Sequence, residues 1–316
     1  MTITQLHYVL AVAENKNFTL AAEKCFVTQP TLSMQIQKLE EELDVQIFDR
    51  GKKPIQLTEV GQKIVNQAKS IVSESDRIKD IVDQEKGFIG GEFRIGIIPT
   101  IMPTLLPMFI SNFINKYPKV HLIVEERTTE EIIKMLKNGQ LDAAIAATPL
   151  EEESIKEVVL YYEPFVAYVP ENNAAYQKKD FEVEDLEINL SSILLLQDGH
   201  CFTNNVLNIC KTSVMPQDSQ FRIQSGSFET MVKLADEGLG MTLLPYLNTI
   251  DMSDKAKSKL RHFKDPRPSR EVSLIYSRKE LKLHIIDALR STIAGVVKGA
   301  ITFQNVDITS PLHKKN

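Results

Sequence analysis

The sequence is poor in the residues that cross-link or anchor a chain. Only Cys25, Cys201 and Cys210 are cysteines among 316 residues, too few for a structural disulfide framework or a four-ligand zinc site. They leave open a transient redox pair. No apolar run reaches the roughly 18 residues that span a bilayer. The opening stretch lacks a basic start and brings acids early, so no signal peptide is expected; the expected location is the cytoplasm, with no membrane partner. An excess of positive charge is also missing. The net charge is −5, and the first 60 residues carry six Lys/Arg against eight Asp/Glu. A polyanionic partner would therefore be held by local placement of cations. Ordinary Gly and Pro contents, with 43% hydrophobic residues, exclude disordered and collagen-like chains. The length suits two or three domains.

Periodicity divides the chain. Residues 1–47 read as helices: Leu6, Val9, Leu10 and Ala13 recur at helical spacing, and Asn17-Phe18 interrupts before Leu20, Ala21, Ala22 and Cys25. Thr28 is a good N-cap, and Pro30 is tolerated in a first turn. The helix that follows carries Leu32, Ile36, Leu39 and Leu43 on one side, and 48–58 read as a turn-linked ribbon. From Glu59 to about Gln84, Ile64, Ala68, Ile71, Ser75, Ile78 and Val82 alternate spacings of four and three. That seam suits pairing with a second copy or packing onto its own chain. Gly87, Gly90 and Gly91 mark a hinge, and strands then alternate with helices in two α/β units with a mainly parallel sheet. The parts expected are thus 1–58, 59–88 and 89–316. The tail from Ile301 has no clear period and is expected to be mobile.

The segment 18–43 fits a helix-turn-helix, with small Ala21 and Ala22 at the helix contact. The second helix offers Thr28, Gln29, Pro30, Thr31, Ser33, Gln35 and Lys38 on its outer side. Glutamine can pair with adenine edges, and hydroxyls can reach bases or phosphates. Arg50, Lys52 and Lys53 would lie over the backbone as a wing. The plainer reading is an amphipathic bundle with a solvated polar face.

The run from Phe18 through Ala21-Ala22, Val27-Thr28-Gln29-Pro30-Thr31-Leu32-Ser33, Ile36, Leu39-Glu40, Leu43, Phe48 and Arg50 resembles the winged helix-turn-helix of LysR-type transcriptional regulators. Gly238-Leu239-Gly240-Met241-Thr242-Leu243-Leu244-Pro245 is similar to a recurring feature of that family's effector domain. The resemblance covers nearly the whole chain. It implies a winged helix-turn-helix and long linker helix, then two Rossmann-like α/β subdomains of periplasmic-binding-protein type. It also implies a DNA-binding regulator without catalytic turnover, metal or cofactor. Its expected partners are double-stranded promoter DNA, a second copy through the linker helix, a homotetramer and RNA polymerase.

Within the family, Leu196-Gln197-Asp198-Gly199-His200-Cys201, with Cys210 nine residues on, resembles the members that sense hydrogen peroxide, as do Ile98-Pro99-Thr100, Thr129 and Arg270. That resemblance implies Cys201 as the peroxidatic cysteine and Cys210 as its resolving partner. It makes Thr100, Thr129, His200 and Arg270 the peroxide pocket, with a glutaredoxin or thioredoxin as reductant. Thr203 and Asn204 depart from the charged pair that other members carry. Thiolate is favoured at a helix N-terminus near cations, where Cys201 is expected. Nine helical residues separate Cα atoms by roughly 13–14 Å, against about 7 Å at most for a disulfide. Oxidation would therefore require 201–210 to refold. Two readings compete: a regulator taking an organic effector between the subdomains, and a thiol peroxidase. Cys25 is expected in the core. His7, His121, His262, His284 and His313 lack ligand spacing, and Glu40-Glu41-Glu42 is expected as a solvated face.

Overall fold

The computed structural model describes residues 1–85, 89–178, 181–188, 193–196, 201–210, 227–301 and 306–312. The hinge expected at Gly87, a strand expected at 221–224, and His200 lie outside these. The chain divides into two units, residues 1–88 with 137–140 and residues 89–136 with 141–316.

The first unit comprises α1 (Ile3–Asn15), α2 (Phe18–Lys24), α3 (Gln29–Leu43), the strands β1 (Phe48–Asp49) and β2 (Gln56–Leu57), and α4 (Glu59–Glu85). Each short helix starts on a side chain that satisfies orphan amides. Thr2 and Gln5 form a reciprocal capping box on α1. Asn17 accepts from Thr19 and Leu20, and Thr28 accepts from Thr31 with Pro30 in the first turn. Leu6, Val9 and Val12 of α1 meet Ala21, Ala22, Leu32, Ile36 and Leu39 in one core. Glu40 is part of this framework rather than a solvated face: its Oε1 accepts from the Ile47 and Phe48 amides at 2.7 and 3.2 Å, joining α3 to β1. Where α4 passes the ribbon, a Cβ on Gly61 would stand 2.0 Å from the Ile47 carbonyl oxygen. Only glycine fits there.

The seam on α4 splits in two. Ala68 is buried, and Ile64 and Ile71 pack on the same core as α1. Ile78, Ile81 and Val82 stay exposed. The first half thus belongs to its own chain, because α1 supplies apolar surface only beside the early turns.

The second unit opens with β3 (Gly91–Ile97), α5 (Met102–Lys116), β4 (Val120–Glu126), α6 (Thr129–Lys137) and β5 (Ala143–Thr148). Next come β6 (Ile155–Tyr168), α7 (Val183–Ile188), β7 (Ile193–Leu194), α8 (Cys201–Ile209), α9 (Phe228–Asp236) and β8 (Met241–Pro245). The chain continues through α10 (Asp254–Lys257), β9 (Leu260–His262), β10 (Arg267–Ser277), α11 (Leu283–Val297) and β11 (Val306–Ile308). The sheet runs β4-β3-β5-β10-β6-β8-β7, with β11 beside β10 and β9 beside β6. It is mixed rather than mainly parallel. β3 pairs in parallel with β4 and β5, whereas β10 is antiparallel to both β5 and β6. β6 is long enough to serve two cores.

The first core gathers Phe93, Phe109, Phe113, Ile145, Leu274 and Leu289 with residues around them. The second gathers Phe165, Tyr168, Phe202, Val206, Met231 and Leu244. On β6 the change of core falls between Tyr161 and Phe165. The tail departs from expectation, since β11 pairs in parallel with Arg267–Ser269.

Candidate functional sites

Where β6 passes from one core to the other, Glu163 faces Arg270 of β10 in register. Both are buried, at 0% and 1% exposure. An unpaired charge would be very costly there, and the pairing is thorough. Arg270 donates from Nε and Nη2 to Glu163 Oε2 at 2.9 and 2.8 Å, from Nη1 to Thr100 Oγ1 at 3.0 Å, and from Nη2 to the Thr100 carbonyl at 3.1 Å. The other Glu163 oxygen accepts from the Leu247 amide at 2.9 Å. Four of the five guanidinium N–H groups are thereby used. The Thr100 hydroxyl accepts from Arg270, and its own proton has no acceptor among the described residues. A further Nη1 hydrogen has no acceptor among the described residues. Two donors thus converge beside one cation, an arrangement that polarises a small oxygen-bearing ligand.

Thr100 follows β3 and Thr129 opens α6 after β4. Because β3 and β4 are parallel, both threonines lie at the carboxyl edge of the sheet, where open α/β sheets take ligands. Thr129 is half-buried. Thr128 caps its helix, exchanging bonds with Glu131.

Helix α8 starts at Cys201. The Arg270 guanidinium lies 5.9 Å from the ring centre of Phe202, the next residue. The Arg270 guanidinium therefore reaches the first turn of α8. Phe202 is fixed edge-on between Phe165 and Phe228 at 5.5 and 4.7 Å. Buried Thr203 ties the first turn of α8 to the Leu196 carbonyl at 3.1 Å. Cys210 continues the helical pattern, its amide donating to Val206 at 3.0 Å. It is buried at 5% and carries no disulfide. Cys25 packs against the first unit's core, where burial pushes its thiol pKa up and away from reactivity.

In the first unit Thr28, Gln29, Pro30, Thr31 and Lys38 are exposed along α3, and Ser33 is half-buried. The hydroxyls of Thr28 and Thr31 meet at 2.8 Å. Gln35 is half-buried beside them. It accepts from the Gln5 side chain at its backbone oxygen and its Oε1, at 3.3 and 3.4 Å, because it stands beside buried Ile36 at the edge of the apolar stripe. Arg50 is less free than expected: it pairs with Glu40 at 2.9 Å and lies 5.2 Å from the Phe18 ring centre. Its Nη1 comes within 3.5 Å of Ser33 Oγ, which keeps it beside α3. Lys52 and Lys53 are exposed on the ribbon turn.

Two family descriptions fit the chain: "Bacterial regulatory helix-turn-helix protein, lysR family" over residues 3–62 and "LysR substrate binding domain" over residues 86–297. The chain belongs to the LysR family. The hydrogen peroxide-inducible genes activator of Haemophilus influenzae is 31% identical over 301 residues, 95% of this chain and 99% of that protein. The DNA-binding transcriptional dual regulator OxyR of Escherichia coli K12 is 33% identical over 276 residues, 87% of this chain and 89% of that one. Among solved structures, a full-length OxyR variant from Pseudomonas aeruginosa matches with TM-score 0.73 at 32% identity, covering 93% of this chain and 98% of that one. A hydrogen-peroxide-bound OxyR cysteine mutant from Corynebacterium glutamicum gives 0.61 at 27%, over 96% and 97%.

As a LysR-family regulator, the chain carries its helix-turn-helix in the first unit and the family's α/β domain in the second. Among the described residues, no helix is long and apolar enough to cross a membrane. The sequence reading missed Glu163. Its signal was a single carboxylate inside the apolar run Val158–Val169, which only a buried partner makes tolerable. Tyr161, two residues earlier, was missed as well. Its buried hydroxyl has no hydrogen-bond partner among the described residues, and burial and the Glu163 carboxylate push its pKa well up.

Proposed function

We propose that this LysR-family protein is a hydrogen-peroxide-responsive transcriptional activator. The observation that carries the reading is the buried Arg270–Thr100 pair beside the start of the cysteine helix. Similarity to peroxide-inducible activators over 95% of the chain supports it. Peroxide would be held by Thr100, Thr129, His200 and Arg270. The Cys201 thiolate attacks one peroxide oxygen and the O–O bond breaks. The departing hydroxide takes a proton and leaves as water, so that Cys201 becomes a sulfenic acid. The Cys210 thiolate then attacks that sulfur, a second water leaves, and a disulfide forms. Two thiols lose two electrons to one peroxide. A helix spanning 201–210 holds the sulfurs apart, so the bond forms only as α8 unwinds.

The DNA-reading part is residues 1–58. Thr28, Gln29, Pro30, Thr31, Ser33, Gln35 and Lys38 face an inverted-repeat promoter site, with Arg50, Lys52 and Lys53 on its phosphates. Residues 59–88 pair two copies, and residues 89–316 sense peroxide. The working form is a homotetramer that contacts RNA polymerase and is reset by a thiol reductant.

Peptide mass mapping after stoichiometric peroxide tests the reading. The expected product is a Cys201–Cys210 disulfide within one chain, with Cys25 still a thiol. Cys201→Ser should abolish the response and leave DNA binding intact, and Cys210→Ser should stall at sulfenic acid or beyond. Three intact thiols in the parent protein would sink the proposal and turn attention to an organic effector.

A further inference from the structure

Helix α8 is gripped by the end of the chain. Asn204 Nδ2 donates to the Pro311 carbonyl at 3.2 Å, and Asn205 Nδ2 donates to the Thr309 carbonyl at 2.9 Å. Asn208 Nδ2 donates to the carbonyls of Ser310 and Leu312, both at 2.8 Å. Four consecutive tail carbonyls are thus satisfied by three asparagines of one helix. Pro311 is buried. The tail is held at its other end too: the Thr309 amide donates to the Ser269 carbonyl at 2.8 Å, and β11 pairs with Arg267–Ser269, directly before Arg270.

This grip depends on helical spacing. Asn204 and Asn208 lie one turn apart, about 6 Å along the axis; in extended chain the same four steps span about 13 Å. The segment that carries the asparagines also carries Cys201 and Cys210. Closing a disulfide between those cysteines therefore takes the asparagines out of register with the tail.

We propose that residues 306–312 form a latch that holds α8 in its helical, dithiol state and is released when Cys201 and Cys210 are joined. The proposal rests on the peroxide reading above, with hydrogen peroxide as the two-electron oxidant. Linkage makes the effect reciprocal: a latch undone by oxidation opposes oxidation to the same extent. It acts on the unwinding that precedes the disulfide, after Cys201 has been oxidised. The tail thereby sets how fast the sulfenic acid is converted to the disulfide and the domain refolds.

The test is hydrogen exchange of peptides covering 306–312 in the full chain, reduced and after stoichiometric peroxide, with the disulfide measured in the same samples. Exchange should accelerate at least tenfold once the disulfide is present. Unchanged protection in a sample with the disulfide formed would overturn the latch and leave the peroxide reading standing. Absence of the disulfide from the parent chain would overturn the peroxide reading and, with it, the coupling to oxidation.

The grip itself is judged in the dithiol state. Half-buried Asn208→Ala removes two hydrogen bonds and should speed tail exchange on the order of tenfold. It should also hasten conversion of sulfenic acid to disulfide several-fold, without changing the rate of sulfenic acid formation. Asn204→Ala, losing one bond, should do the same to a smaller extent. Unchanged tail exchange in both variants would overturn the proposal whatever peroxide does.

Discussion

Arg270 and Glu163 are a pair whose members matter through each other. Neither charge is accessible to water, so removing one leaves the other buried and uncompensated. Glu163→Gln keeps an acceptor for the Leu247 amide but strands the guanidinium; it should cost about 3–5 kcal/mol in urea unfolding. It should also loosen the hold on Thr100. Glu280 shows charge acting in the opposite sense. Burial, helped by nearby Asp142, raises its carboxyl pKa against the hydrogen bonds that the Leu281 and Lys282 amides donate to it. A raised folded-state pKa means that folding favours the protonated form. Its contribution to stability is therefore full below the ordinary value of 4.5 and is lost as pH rises through the raised value. Glu280→Gln keeps the acceptor and removes the charge. Its melting temperature should match the parent near pH 4 and exceed it at pH 7; equal melting temperatures at both would refute this account.

At the scale of elements, α3 and α8 share a device: a polar first turn fixed by a neighbour. In α3, Thr28 supplies the cap and also faces outward next to Thr31. Thr28→Ala should cost about 1 kcal/mol of stability. If the same residue also meets DNA, operator affinity should fall more than non-specific affinity in a salt titration. An equal fall in both would assign Thr28 to capping alone. In α8 the disulfide we propose between Cys201 and Cys210 conflicts with the helix, so closing it would move a whole element. α4 serves two purposes along its length, with early turns buried against α1 and later turns exposing Ile78, Ile81 and Val82.

At the scale of the whole molecule, those late turns bear on assembly. A row of exposed aliphatic residues on a helix is stabilised when a second copy covers it. Ile78→Lys with Val82→Lys should shift sedimentation toward monomer while leaving the melting of the two units nearly unchanged, since neither side chain packs in a core. Unaltered sedimentation would remove α4 as the pairing element.

The sequence by itself determined much of the local order, because capping, periodicity and turn chemistry act over a few residues. Thr28 with Pro30, the four-three stripe from Leu32 to Leu39 and the start of a helix at Cys201 were all legible in it, whereas Leu43 at the end of that stripe is exposed. The family was legible too, since its motifs are contiguous. Pairings that depend on which strands become neighbours were decided only by the tertiary structure. Glu163 meets Arg270 across 107 residues because β6 and β10 lie side by side. Residues 309–312 of the aperiodic tail are tied down because Asn204, Asn205 and Asn208 present donors to their carbonyls. The first half of the α4 seam turns inward because α1 covers it. Periodicity tells which face of a helix is apolar, and only the packed chain tells what that face meets.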